Sequence, residues 1–487
     1  MKTLAHNGLE DKNKCKYMQA KKSGESYSLR QKYLAEGAYY KKVLLLIIPM
    51  ILQAAVTNFV SLLDNIMVGQ IGTLQMSGVS IVNQYVFVFN ITLFGAVSGA
   101  GIYGAQFFGK GDAKGHKYSV RFRILIAAVI CLVFMALFLG VPKLLIGLFL
   151  SKDDAAEMVQ ATLGYGLRYM RIIVLSMIPF AIGQVYGSAV KECGETRIPM
   201  GAAFVAVAVN LFLDYALIFG KFGLPEMGVA GAAWATVVAK CIEAAIIVIW
   251  AHLHPEKNPY IPGLYRGFGI PREMFAAIFR KSIPLLLNEF FWALGMSVVA
   301  QCYSVRGLDV VAARNIASTI NNLCNVIYVQ MGVGVGILLG QLLGAGLHAE
   351  AKVRKDHLSA FSFLLSVIVA LIMVPIALVF PSVYKTEREI RALATIFILI
   401  QAGATPLWSY TNFCYFVLRS GGKTGITFFF DFVYTWAIMI PLAAVLSYFT
   451  SLDIRWVFGI VTFAELIKVV LGFFLVRTGK WVNTIVE

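Results

Sequence analysis

Six acidic side chains lie inside long apolar stretches of the 487-residue sequence. They are Asp64, Asp214, Glu243, Glu289, Asp431 and Glu465. An ionisable group in the hydrocarbon region of a membrane costs roughly 2.5–3.5 kcal/mol, so each acid needs a partner, a proton or a wet cavity. This pattern favours ion or cation binding inside a membrane-embedded protein.

Two of these acids share one predicted depth with two neutral oxygen ligands. Asp64 and Asp214 each stand about six residues from the outer end of their apolar stretch, and Thr236 about eight residues from the outer end of its own, which places them roughly 9–12 Å below the surface. Asn210 lies one helical turn from Asp214 on the same face. These four residues suit Na⁺, and the two carboxylates suit a proton equally well. The alternative is that the acids only tie helices together by hydrogen bonds.

The other interior acids allow two interpretations each. Lys240 with Glu243, and Glu465 with Lys468, are spaced i,i+3 and therefore neutralise one another, which is compatible with structural pairing or with a role in transport. Glu289 has no basic neighbour at helical spacing and stands among polar and aromatic residues. Such surroundings suit a site for an organic cation, and they suit equally well a hydrogen bond that packs two helices together. The candidate substrate-binding residues are Gln184, Asn288, Glu289, Trp292 and Asn325.

Composition predicts the scaffold that must position these residues. The chain is 59% hydrophobic and 14% charged, with a mean hydropathy of +0.75, whereas soluble domains average roughly 45–50% apolar and about 25% charged. Soluble, disordered and fibrous classes are thereby excluded. Twelve apolar stretches are each long enough to cross a bilayer as a helix. We therefore expect an all-α polytopic membrane protein with twelve transmembrane helices.

The basic residues predict the orientation in the cell membrane. The net charge is +16, but the surplus is distributed by loop: segments on the side of the termini hold 29 Lys or Arg, and the opposite loops hold 9. This bias predicts that both termini are cytoplasmic. Because membrane topology explains the positive charge, the charge does not indicate nucleic acid as a partner. The predicted divisions are a polar basic cytoplasmic tail at 1–41, an N-terminal lobe at 42–252, a cytoplasmic linker at 253–279, a C-terminal lobe at 280–476 and a cytoplasmic C-terminus at 477–487. No cleaved signal peptide is expected.

The two predicted lobes are repeats of one six-helix unit. A shift of 235 residues, later 228, aligns an ordered series of positions. The aligned pairs are Pro49 with Pro284, Gly72 with Gly307, Asn90 with Asn325, Gln106 with Gln341, Gly109 with Gly344, Gly194 with Gly422, and Lys240 with Lys468. Both halves have six spans and start on the same side, so they are parallel repeats, as in alternating-access transporters with a site between the halves.

The predicted ion site is not duplicated in the second half. The repeat partners of Asp64, Asn210, Asp214 and Thr236 are Val299, Ile438, Leu442 and Ala464. None of these side chains carries a ligand oxygen. The sequence therefore predicts one ion site, in the first half.

Other motifs indicate neither a cofactor nor an enzyme. The glycines of Gly99-x-Gly101-x-x-Gly104 match a dinucleotide fingerprint, but they lie inside an apolar span with no preceding strand, so close helix packing is the better interpretation. Gly421-Gly-Lys-Thr424 lacks the first glycine of a phosphate-binding loop, because position 417 is Val417. Seven cysteines form no CxxC, and the six histidines form no HExxH. We expect no cofactor, no enzyme activity and a monomer surrounded by lipid.

An ordered set of motifs between about residues 42 and 476 resembles the multidrug and toxic compound extrusion (MATE) family of antiporters, and especially its DNA-damage-inducible branch. The motif residues are Pro49, Asp64, Gly101, Gln106, Gly109, Gly111, Asp112, Gly194, Thr196, Pro199, Asn210, Asp214, Gly228, Gly231 and Thr236.

The resemblance implies two six-helix lobes in a V and efflux of small organic, often cationic, compounds in exchange for Na⁺ or H⁺. It implies a first-lobe cation site at Asp64, Asn210, Asp214 and Thr236, and a bend of the first helix at Pro49. Another bacterial branch of the family adds acids on spans 7 and 10. Glu289 is near the first of these, but span 10 has no acid between Ile400 and Leu418. The alternative is a flippase of lipid-linked oligosaccharides or lipids, which shares the fold.

Overall fold

The computed structural model describes residues 34–150, 156–267, 269–384 and 386–486. Twelve helices in these ranges are long and apolar enough to cross a membrane, and no strand occurs in them. The helices are α1 Gly37–Gly69, α2 Thr73–Lys110, α3 Ala113–Gly140, α4 Ala156–Glu192, α5 Arg197–Ile218, α6 Val229–Leu253, α7 Arg272–Ser304, α8 Leu308–Gly344, α9 His348–Val383, α10 Arg388–Ser420, α11 Thr424–Phe449 and α12 Ile454–Arg477. The predicted twelve-helix, all-α class is confirmed. Positions 1–33 of the predicted tail lie outside the described residues.

Several helices are longer than a bilayer core. The α2 helix has 38 residues and α8 has 37, which corresponds to about 55 Å at 1.5 Å per residue, against about 30 Å of hydrocarbon. Their polar ends therefore extend past the apolar stretch that predicts them. The length of an apolar stretch therefore predicts where the chain crosses the membrane but not where the helix ends.

Prolines lie inside several of the long helices. Pro49 lies inside α1 and its repeat partner Pro284 inside α7. In α11, a π-helical segment at Tyr434–Met439 ends two residues before Pro441. A proline has no N–H and cannot complete the i→i−4 bond of a regular helix, so the chain before it is free to adopt wider turns.

The described chain forms two compact units. The N-terminal unit contains Leu46–Gly104 and Lys114–Met296, and the C-terminal unit contains Ala105–Ala113, Ser297 onward and the described residues up to Leu45. Each unit is described separately below.

Glycines bring helices of the N-terminal unit into close contact. A Cβ atom at Gly95 of α2 would stand 2.9 Å from the Leu286 Cα of α7, and one at Gly99 would collide with Ser282. A Cβ at Gly104 would collide with Glu192 of α4. The helix-packing interpretation of this glycine motif is therefore confirmed.

The linker between α6 and α7 is hydrogen-bonded to Arg121 of α3 within the N-terminal unit. The Arg121 guanidinium of α3 donates hydrogen bonds to the carbonyls of Gly263 (2.8 Å), Leu264 (2.8 Å), Arg266 (3.0 Å) and Gly269 (3.1 Å). Arg121 is itself only 6% exposed. A guanidinium in a fixed fork geometry is suited to gathering several carbonyls of one loop.

In the C-terminal unit the repeated glutamine–glycine motif forms a reciprocal crossing of the ends of α2 and α8. A Cβ at Gly109 would collide with the Gln341 backbone, and one at Gly344 with the Gln106 backbone. The Gln106 side chain, fully buried, donates to the carbonyls of Ser420 and Asn483 at 2.8 and 3.1 Å. The motif thus positions helix ends and the chain that follows α12.

Candidate ion-binding site

The structure brings the acids of α1 and α5 together in the N-terminal unit. The carboxyl groups of Asp64 and Asp214 lie within hydrogen-bonding range of each other. Asp214 is 1% exposed and Asn210, one turn earlier on α5, is 5% exposed. The opposite face of α5 is exposed at Phe212 and Tyr215. At this level, α5 turns Asn210 and Asp214 inward and Phe212 and Tyr215 outward.

These buried polar atoms have no donors or acceptors among the side chains that the structure describes. Asp64 Oδ1, both carboxylate oxygens of Asp214 and Asn210 Nδ2 have no hydrogen-bond partner. Two charged carboxylates cannot satisfy each other, because neither supplies a donor. Leaving buried charged oxygens in this state is expensive, so the arrangement favours a proton or a cation between the two groups.

Helix register places Thr236 at the level of the α5 residues. The antiparallel helices α5 and α6 approach closely where a Cβ at Gly231 would stand 2.7 Å from the Leu217 backbone. Counting from that contact, position 236 is level with position 212, midway between Asn210 and Asp214. The Thr236 hydroxyl donates to the Ala232 carbonyl at 3.1 Å. Its proton is therefore committed to its own helix, and its oxygen keeps lone pairs for a ligand.

The neighbouring lysine does not neutralise the aspartate pair. Lys240 of α6 is close enough to Asp64 to interact with it electrostatically. Its ammonium, however, is paired with Glu243 at 2.8 Å and lies 5.5 Å from the ring centre of Phe180. The predicted i,i+3 pair is confirmed, and it leaves Asp64 and Asp214 without a direct ion pair in the described structure.

Two polar residues beside the pair are missed by the sequence-based prediction. Tyr169 of α4 is buried next to Asp64 and Asp214, and its hydroxyl donates to Asn83 Oδ1 of α2 at 3.2 Å. Asn83 is a polar residue within an apolar span, which is the signal that could have identified it. Tyr169 carries no such signal, because a tyrosine is common in a membrane helix.

The donor set fits a hard monovalent cation better than a transition metal. The described residues contain no group of three His, Cys, Asp or Glu side chains arranged to hold a metal ion. Two carboxylates supplemented by amide and hydroxyl oxygens provide the ligands that hard cations prefer. The same two carboxylates can share a single proton. The chemistry supported by this geometry is therefore reversible binding of Na⁺ or H⁺.

The C-terminal unit holds its own cluster of acids, and there a lysine lies between them. Lys468 Nζ of α12 is 2.5 Å from Asp431 Oδ1 of α11 and 3.7 Å from Glu465 Oε1. The Thr411 hydroxyl of α10 donates to Glu465 Oε1 at 2.8 Å, and Tyr434 is a further hydrogen-bond partner of Glu465. The sequence-predicted pair of Glu465 and Lys468 is confirmed, but Asp431 is the closer partner.

The candidate substrate-binding residues lie in both units, four in the N-terminal unit and one in the C-terminal unit. Asn288 of α7 is buried, Glu289 packs against Gly95 of α2, and Trp292 is 43% exposed. Gln184 of α4 is half-buried in the same N-terminal unit. Asn325 of α8 is half-buried in the C-terminal unit. Their assignment to substrate stays a prediction.

Comparisons with known proteins place the chain in a family. The MatE family model matches residues 49–216 and 284–445, one segment in each half. A probable multidrug resistance protein NorM of Thermotoga maritima is 24% identical over 465 residues, covering 93% of this chain and 96% of that protein. A probable multidrug resistance protein YoeA of Bacillus subtilis is 24% identical over 379 residues, covering 75% and 79%.

A solved structure supports the same fold. It is the outward-facing conformation of a multidrug resistance MATE family transporter of the MOP superfamily, which superimposes with a TM-score of 0.81 at 18% identity and covers 90% of this chain and 95% of that chain. At this identity the likeness concerns the fold alone. With the family model matched in both halves, the chain belongs to the MATE family of multidrug efflux transporters, and it is a multi-pass membrane transporter rather than an enzyme.

Proposed function

We propose that this protein is a secondary antiporter that exports small organic compounds, often cationic, in exchange for Na⁺ or H⁺ by alternating access. The coupling ion binds at Asp64, Asn210, Asp214 and Thr236. The observation that carries the proposal is the Asp64–Asp214 pair, three of whose carboxylate oxygens are buried and have no hydrogen-bond partner among the described residues. The multidrug resistance proteins similar to this chain support a small-molecule substrate.

The four residues perform complementary roles in this proposal. Asp64 and Asp214 supply the charge that binds the ion, Asn210 supplies an amide oxygen, and Thr236 supplies a hydroxyl oxygen whose proton is held by Ala232. Because α1 contributes one ligand and α5 two, a bound ion would tie α1 to α5. Pro49 lacks the N–H of one helix hydrogen bond, so α1 can bend at this residue when the ion connects it to α5.

Transport in proteoliposomes tests the function. A fluorescent organic cation is loaded, and Na⁺ and pH gradients are applied separately. We expect efflux driven by at least one gradient, and its loss by more than about tenfold in Asp64→Asn and Asp214→Asn. Asp309→Asn, which changes an exposed carboxylate at the start of α8, is the matched control. Gradient-driven efflux at the parent rate in both aspartate variants would refute the proposal.

We also propose that both termini and the α6–α7 linker are cytoplasmic, on the 29-to-9 distribution of basic residues. In a cysteine-free background, an impermeant thiol reagent added to intact cells should label Lys221→Cys in the α5–α6 loop and spare Glu256→Cys in the linker. Both positions are exposed. Labelling with the opposite preference would reverse the orientation.

A further inference from the structure

The Lys468 ammonium in the C-terminal unit is surrounded as a bound cation would be. Two carboxylates contact it, from Asp431 at 2.5 Å and Glu465 at 3.7 Å. The ring centres of Phe430 and Tyr434 lie 5.3 and 5.4 Å away. Carboxylates combined with aromatic faces are the ligands that proteins use for organic ammonium groups.

The charge of this shell exceeds what a structural ion pair needs. One lysine faces two acids, so the cluster carries a net charge of −1 when all three groups are ionised. Glu465 is additionally supported by the Thr411 hydroxyl at 2.8 Å and by Tyr434. Glu465 therefore keeps hydrogen-bond donors other than Lys468.

The backbone at this shell is also irregular. Tyr434 begins the π-helical segment Tyr434–Met439 of α11, three residues after Asp431. Single π-turns inside helices are frequent at functional sites, because the wider turn repositions side chains. Pro441 explains why the segment is tolerated but not why its first residue, Tyr434, and Asp431 of the preceding turn face the same ammonium.

We infer that Asp431, Glu465, Phe430 and Tyr434 form a second cation site, specific for an alkylammonium group, and that the chain fills this site with its own Lys468. Lys468 acts as a tethered ligand. Its repeat partner Lys240 instead pairs with Glu243, within its own helix. The tethered ammonium keeps the acids of the C-terminal unit from binding the coupling ion, a consequence that rests on the proposed ion site at Asp64 and Asp214.

The experiment removes the Lys468 side chain and supplies an alkylammonium ion in solution. Purified Lys468→Ala is titrated with methylammonium, and thermal unfolding and binding of radiolabelled methylammonium are measured. The side chains of Lys468, Asp431 and Glu465 are 14%, 14% and 8% exposed. We expect methylammonium to raise the melting temperature of Lys468→Ala by about 2–4 °C and to bind at least about tenfold more tightly than to the parent.

Two further variants decide the outcome. Lys468→Ala with Asp431→Asn and Glu465→Gln removes the carboxylates and should abolish the gain. If Lys468→Ala alone does not accumulate, Lys468→Ala with Asp431→Asn retains the net charge of −1 through Glu465 and should still bind methylammonium more tightly than the parent. No methylammonium effect in the foldable variant, or an equal effect in the triple variant, overturns the inference.

The same titration in an Asp214→Asn background separates the two proposals. The methylammonium gain should persist there, because the shell of Lys468 contains no residue of the N-terminal ion site. If the parent shows no efflux driven by either a Na⁺ or a pH gradient but the methylammonium gain is preserved, only the proposed function is refuted. If the gain is lost while gradient-driven efflux by the parent is preserved, only the tethered ligand is refuted.

Discussion

The two units of this transporter each contain a pair of acids inside transmembrane helices and a repeat-related lysine, but the lysine has different partners in the two units. In the N-terminal unit, Lys240 pairs with Glu243, and Asp64 faces Asp214 without a donor among the described side chains. In the C-terminal unit, Lys468 contacts both Asp431 and Glu465. One acid pair is therefore open to an exchangeable ion, and the other is satisfied within the chain.

This difference shows how the two halves of a duplicated fold can satisfy their interior acids in different ways. A buried charge must be paired, but the partner can come from the chain or from solution. A permanent partner gives stability, whereas an exchangeable partner gives a response to ion concentration. We therefore propose that the position of a single ammonium group decides which acid pair takes its cation from the chain and which takes it from solution.

The largest expected effect is on the free energy of unfolding, which should fall for a substitution in the C-terminal unit and should not fall for one in the N-terminal unit. Lys468→Ala leaves two acids without their shared cation and should lower the free energy of unfolding by about 3–5 kcal/mol. Asp214→Asn removes one of two facing carboxylates and should leave stability unchanged or higher. Thermal unfolding in Na⁺-free detergent at neutral pH measures both, with the exposed Lys480→Ala as the control. A large loss of stability in Asp214→Asn would contradict the comparison.

A smaller effect should distinguish the two threonines. Thr411→Val removes a hydroxyl donor from Glu465 and should cost about 1–3 kcal/mol of stability, with no change in Na⁺ affinity. Thr236→Ala removes a hydroxyl that bonds only its own helix in the described structure, so stability should change little while Na⁺ affinity falls. Equilibrium Na⁺ binding and thermal unfolding of both variants provide the test. Equal behaviour of the two would mean that Thr236 is no ligand.

The smallest effect is expected at Tyr169. Its hydroxyl bonds Asn83 and not the aspartates, so Tyr169→Phe should cost about 0.5–1.5 kcal/mol of stability and preserve gradient-driven efflux. Tyr215→Phe, at an exposed position of α5, is the matched control. Loss of efflux in Tyr169→Phe would assign Tyr169 a direct part in ion binding and extend the site beyond the four proposed residues.

Local and long-range features differ in how far the sequence predicts them. Twelve helices follow from apolar length, and the pairing of Lys240 with Glu243 follows from i,i+3 spacing on one helix. The contact of Asp431 with Lys468 joins α11 to α12 and has no spacing rule, so the sequence indicated only Glu465 as a partner. Tyr169 was missed for the same reason, because it reaches the aspartates through the packing of α4. Helix ends extended beyond their predicted limits, since polar turns carry no hydropathy signal.

The most direct test of the ion site is equilibrium binding of Na⁺ to the purified protein. At mildly alkaline pH the parent should bind Na⁺, and acidification should weaken binding, because a proton on either Asp64 or Asp214 removes charge from the site. Asn210→Ala should reduce the affinity, and Asp214→Asn should abolish binding. Absence of Na⁺ binding in the parent at alkaline pH, or its persistence in Asp214→Asn, would contradict Na⁺ coordination at this site.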